Sequence, residues 1–255
     1  MLRFSAVISS SALAYGAWVR KTRPLHIVWD LDATLLCSIS PIVKAPPGLR
    51  KGSWFDQIDD DFAFQPGEPN TRTVWRPGAR FLLRVLDLFT TQHVYTAAQG
   101  TYTENITREL ERAPCVARGL CPSLPFATVL HRDIVPHHDH HKTPGVPRGK
   151  DLRHIVGGSD EALARAILFD DRVTNFEPQP RNGVHVRPFT AADVEFGGDR
   201  EMARLVGIVL LAFFAPDARS VLPWFRTPRH GELVTAASEK EAAAAAAATA
   251  AATAE

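Results

Sequence analysis

The sequence predicts an α/β fold, a parallel sheet with helices on both faces. Three observations carry this. Short apolar runs at 25–29, 93–96 and 166–169 read as buried strands. Stretches of helical periodicity alternate with them, the pattern that builds parallel sheets. The first and third runs end at Asp30 and Asp170, and ligands of open α/β sheets bind at such strand ends. Composition agrees: the 255 residues are 45% hydrophobic and 22% charged, enough apolar material for a sizeable core. A formal net charge of +1 argues against a nucleic-acid binder that works through a broad basic field. Three cysteines without a CxxC pair support neither a disulfide framework nor a four-thiolate zinc site, and a reducing compartment is the default reading.

Three regions are expected: an N-terminal segment 1–23, a folded domain 24–230 and an Ala-rich tail 231–255. From Met1 to Trp29 there is no Asp or Glu, and Phe4 to Val19 is uncharged. That run is short for a spanning helix. A secretory h-region, a weak membrane anchor and a mitochondrial presequence are the available readings, and Arg and Ser without acids favour the last. The expected placement is therefore mitochondrial (inner membrane) or membrane-anchored rather than nuclear or cytosolic. Within the domain, Leu25–Trp29 is the first strand. Arg76-Pro-Gly-Ala opens a helix with an apolar stripe at 81, 82, 85, 86 and 89. A second strand is His93–Thr96. A polar helix runs from Thr101 to Arg112, with Thr101 as N-cap and Glu104 completing a capping box. Ala166–Phe169 is the third strand and Val184–Val186 a fourth. Arg200–Ala215 reads as a mostly buried final helix. Two irregular stretches, 38–74 and 114–149, interrupt this order as insertions beside the active edge. The His137–His141 tract and Cys115 and Cys121 lie in the second, and they read as a solvated loop and incidental thiols.

The strand ends carry the chemistry. Asp30 and Asp32 flank Leu31, Thr96 closes the second strand, and Asp170-Asp171 close the third. Lys150 lies between the last two. Taken singly, each has an ordinary role: Asp-x-Asp caps turns, an Asp pair closes a helix, a lone Lys is a solvated charge. Together they would gather up to four carboxylates at one place, where each raises the others' pKa. A hard cation such as Mg²⁺ relieves that repulsion with oxygen ligands. Thr96 and Lys150 add a hydroxyl donor and a positive charge for phosphate oxygens. The reading is a metal-assisted phosphoryl-transfer centre, in which one carboxylate is the nucleophile and a second, two residues on, moves protons.

These motifs resemble the haloacid dehalogenase superfamily, and within it the phosphatases acting on the C-terminal domain of RNA polymerase II and their relatives. Those relatives include a subunit of the mitochondrial inner-membrane import translocase. The resemblance covers about residues 25–226. It rests on Val28–Leu35, Trp75-Arg-Pro-Gly78, Val94–Ala97, Lys150–Leu152, and Ile167–Asp171 with Asn175-Phe and Gln179–Gly183. It implies a Rossmann-like sheet with small insertions near the active edge and no large cap. It implies Asp30 as nucleophile and Asp32 as general acid/base. Thr34 would hold the motif loop, while Thr96 and Lys150 would bind the phosphoryl group. Asp30, the carbonyl of Asp32, and Asp171 with Asp170 would hold Mg²⁺. Ala33 stands where the family typically has Glu, and Asp171 where it has Asn. The implied function is a Mg²⁺-dependent protein serine/threonine phosphatase, with a phosphorylated protein as partner and no direct nucleic acid. The alternative is a binding module of the import machinery that uses the same fold and associates through its N-terminus.

Overall fold

The computed structural model describes residues 18–39, 63–64, 72–112, 126–135, 149–228 and 235. In chain order the strands and helices begin with β1 (His26–Trp29), β2 (Leu36–Ile39), β3 (Ala63–Phe64) and β4 (Arg72–Trp75). There follow α1 (Ala79–Asp87), β5 (Thr91–Tyr95), α2 (Gly100–Arg112) and β6 (Thr128–Leu130). The remainder is α3 (Arg153–Val156), α4 (Asp160–Leu163), β7 (Ala166–Asp170), β8 (Gly183–His185), α5 (Ala191–Phe196) and α6 (Glu201–Phe214).

The main sheet has five strands in the order β6-β5-β1-β7-β8. Every neighbouring pair is parallel. The first strand is therefore central, and the chain first builds outward on one side of it and later on the other. Register then fixes the site. Trp29 is level with Val94 on one neighbour and with Phe169 on the other. One residue further on, Asp30 and Asp170 lie side by side at the carboxyl edge, and the Asp30 amide still donates to the Phe169 carbonyl at 3.0 Å.

Alternation along the strands divides the core between the two faces. Ile27, Trp29, Ile167 and Phe169 pack with α1, α2 and α6, while Val28, Leu168 and Tyr95 pack with Leu152 and the turns after β7. Trp29 stacks on Phe169 at 4.7 Å, and its indole N–H donates to the Gln92 side chain at 2.9 Å. Gln92 in turn donates to the Leu83 carbonyl at 2.5 Å, so one amide ties β1, β5 and α1 together. Trp18–Thr22 is helical, Val19 joins the larger core and Arg20 pairs with Asp87 at 3.3 Å.

Three expectations need correction. The stretch 38–74 is not wholly irregular, because its ends form a second, antiparallel sheet, β2-β4-β3. Likewise, 114–149 contains β6, which pairs with β5. Thr101 is not an N-cap. The helix begins at Gly100, whose amide donates to the Asp133 carboxylate at 2.7 Å, so a distant loop supplies the acceptor that a local cap would have given. Third, α6 is buried on one stripe only (Met202, Leu205, Ile208, Val209, Ala212 and Phe213), and Leu210, Leu211 and Phe214 are exposed. Among the described residues, no helix is long and apolar enough to cross a membrane. The uncharged run 4–17, Cys115, Cys121, the His tract 137–141 and nearly all of the tail 231–255 lie outside the described residues.

Candidate active site

The loop after β1 is a tight turn. The Leu31 carbonyl accepts the amides of Thr34, Leu35 and Leu36 at 3.2, 2.8 and 3.1 Å. This winding requires Ala33 at φ 60°, a left-handed conformation that costs an L-residue about 1–2 kcal/mol. The Ala33 carbonyl accepts the Phe189 amide at 2.7 Å, which pins the strained residue from outside.

Asp30 is buried at the head of this turn, and Lys150 Nζ lies 2.5 Å from its Oδ1. Burial pushes the Asp30 carboxyl up to about 7; Lys150 opposes this, and Asp170 and Asp171 reinforce it. Lys150 is completely enclosed and also meets Asp170 Oδ2 at 2.6 Å. Burial alone would lower the lysine, but the two carboxylates reverse that and hold it above its ordinary value. Taken alone, Lys150 reads as a solvated surface charge; the structure overturns that. Its depth depends on Gly149, at φ 115°, where an added Cβ would stand 2.7 Å from the carbonyl oxygens of Thr174 and Asn175. The Lys150 amide then donates to the Asn175 carbonyl at 2.9 Å.

Asp170 is held firmly. Asn175 Nδ2 reaches both of its oxygens at 2.9 Å, and the Arg172 amide reaches Oδ1 at 2.8 Å. With Lys150 added, this carboxylate is fixed in orientation and in turn fixes the lysine. Asp171 is half-buried. Burial, then its neighbour Asp170, raises its carboxyl, while Arg172 and Lys150 pull the other way. Thr96 is buried just past β5; its hydroxyl accepts the Ala98 amide at 3.1 Å, and among the described residues no acceptor meets its O–H.

Asp32 stands apart from this group. Its surface is exposed, yet the walls around it still raise its carboxyl, tempered first by a hydrogen bond from Tyr102 Oη at 2.7 Å. Its side chain is not among the clustered carboxylates. Thr34 is fully buried; its carbonyl accepts Arg76 at 2.5 Å, while its hydroxyl has no partner among the described residues. Among the described residues, no hydrogen bond joins the Thr34 side chain to the carboxylates or to Lys150.

Asp30, Asp170 and Asp171 each offer one carboxylate oxygen, all within 4.8 Å of one another. Hard anionic oxygens, in a pocket whose burial raises Asp30 and Asp171, are a donor set that suits Mg²⁺. The residues present therefore fit the ion. Two side chains had no task in the sequence reading. Tyr102 sits inside a helix that reads only as polar. Arg76 belongs to a recognisable Arg-Pro-Gly opening, but its partner Asp199 lies 123 positions away.

Carboxylates gathered at the carboxyl ends of the central strand β1 and of its neighbour β7 are the arrangement that the haloacid dehalogenase resemblance implies. The model of the NLI interacting factor-like phosphatases matches residues 25–210, and the chain belongs to that family. No curated protein matches it. Among solved structures it resembles Fcp1, an essential RNA polymerase II CTD phosphatase, at 16% identity and a TM-score of 0.49; the match covers 78% of this chain and 65% of that one. It also resembles the fission yeast RNA polymerase II CTD phosphatase Fcp1, as a variant bound to beryllium fluoride, at 19% identity and a TM-score of 0.45, with 82% and 56% covered. The chain thus spans less than two thirds of either neighbour's length.

Proposed function

We propose that this protein is a Mg²⁺-dependent phosphatase that dephosphorylates serine or threonine in protein substrates through an aspartyl-phosphate on Asp30. The observation that carries the reading is the buried Asp30 carboxylate, held by Lys150 at 2.5 Å and clustered with Asp170 and Asp171. Family membership supports the reaction class.

In the first half-reaction an Asp30 oxygen attacks phosphorus. The bond to the leaving oxygen breaks, and that oxygen takes a proton from Asp32. In the second, Asp32 takes a proton from water as the water oxygen attacks phosphorus, which frees inorganic phosphate and restores Asp30. Proton transfer of this kind contributes about 10²–10⁴-fold. Lys150 and the Thr96 hydroxyl bind phosphoryl oxygens, and Asp170 and Asn175 keep Lys150 aimed. Asp30, Asp171, Asp170 and the Asp32 carbonyl would hold Mg²⁺, which would supply positive charge to the transferring group. Thr34 serves the turn through its carbonyl.

The test is turnover of p-nitrophenyl phosphate and of phosphoserine peptides by the full chain. Activity should require Mg²⁺, vanish with EDTA and vanish in Asp30→Asn. Activity that survives Asp30→Asn would remove the assigned nucleophile. A strong preference for small phosphorylated metabolites over peptides would remove the substrate class.

A further inference from the structure

Tyr102 enters the site from the first turn of α2, with its ring packed against the main core. Its hydroxyl donates to Asp32 Oδ1 at 2.7 Å. The Ser38 and Thr73 hydroxyls, 3.4 Å from each other on β2 and β4, lie beside the same phenol. Helix α2 and the small antiparallel sheet therefore meet at one oxygen of an otherwise exposed carboxyl. Thr73 is fully buried, so this side of the network is fixed by packing.

We propose that Tyr102 is a positioning residue for Asp32. It occupies Oδ1, so the transferable proton resides on Oδ2, and Ser38 and Thr73 hold the phenol in that role. This rests on the acid/base assignment of Asp32 made above. The physical need is clear. The terminal torsion of an aspartate is broad and nearly two-fold, so a free carboxyl presents either oxygen in many directions. A general acid has to hold its proton within hydrogen-bond reach of the departing oxygen. When Asp32 is ionised this is an O–H···O⁻ bond, among the stronger hydrogen bonds, and when it is protonated the phenol still donates to Oδ1, so the same oxygen is anchored in both forms. The core packing of the Tyr102 ring makes the anchor rigid.

The experiment compares kcat/KM of the full chain on two aryl phosphates, one with a good leaving group (p-nitrophenyl phosphate) and one with a poor one (phenyl phosphate). Proton donation matters most when the leaving oxygen is basic. Tyr102→Phe should lower kcat/KM for phenyl phosphate about 10-fold more than for p-nitrophenyl phosphate. Thr73→Val, which leaves Asp32 and Tyr102 in place, should shift the ratio in the same direction by less. Asp32→Asn is the reference and should show the largest selective loss. If Asp32→Asn is selective but Tyr102→Phe lowers both substrates equally or neither, the positioning role is overturned and the acid/base assignment survives. If Asp32→Asn is not selective, that assignment falls and the inference falls with it.

Discussion

Lys150 and Arg76 are both cations with no exposure to water, yet their surroundings are opposites. Lys150 places one ammonium between two carboxylates that belong to adjacent strand ends, at 2.5 and 2.6 Å. Arg76 spreads its fork over three separate segments. Its Nε pairs with Asp199 at 2.7 Å, and its terminal nitrogens donate to the carbonyls of Thr34 and Arg187. Its guanidinium also lies over the Phe189 ring at 5.2 Å. A planar, multiply bonded guanidinium is suited to locking backbone, and a compact ammonium is suited to meeting a point charge that comes and goes. Lys150 is a cation locked into the carboxylate cluster, and Arg76 is a cation that braces the turn beside it.

The largest effect expected falls on Lys150. Lys150→Met should lower kcat by about 10³-fold with p-nitrophenyl phosphate, while circular dichroism shows the fold retained in Mg²⁺. Arg76→Met should do the reverse. It leaves the buried Asp199 with only the longer ion pair to the exposed Arg187, at 3.4 Å, which costs about 3 kcal/mol in urea unfolding. If the Arg76 variant keeps its stability, or the Lys150 variant its turnover, the division of labour is wrong.

A third buried group sharpens the contrast because it has no counter-charge. His93 contacts His26 across 3.0 Å, and burial, then His26, holds it down at about 4. Unfolded, it titrates near its ordinary value of 6.5. Between those values the unfolded chain binds the extra proton, so the folded state loses stability as pH falls from 6.5 toward 4. The stability of wild type relative to His93→Gln should therefore drop by up to ~3 kcal/mol over that window and stay flat above pH 7. The smallest effect belongs to the turn that Arg76 braces: Ala33→Gly relieves the left-handed strain and should raise stability by about 1 kcal/mol or less in the same urea assay.

Much of this was legible beforehand, for identifiable reasons. Apolar runs that end in Asp marked β1 and β7, and the shared register of parallel strands does the rest by bringing Asp30 beside Asp170. The small sheet was not legible. β2 and β4 have four residues each and β3 has two, and their pairing spans a long insertion with no hairpin signal. Lys150 was visible as a motif residue, but its burial depends on how closely Gly149 approaches the Thr174–Asn175 backbone, which no periodicity records. Tyr102 was hidden because a tyrosine in a polar helix announces nothing. Its partners Asp32, Ser38 and Thr73 are brought to it only by tertiary packing.

The most direct test of the central claim is to trap the covalent intermediate. The full chain, mixed with Mg²⁺ and p-nitrophenyl phosphate and quenched into borohydride, should show Asp30 reduced to homoserine in its tryptic peptide by mass spectrometry, and only when substrate is present. Steady turnover with residue 30 recovered solely as aspartate, or homoserine at another carboxylate, would contradict the account.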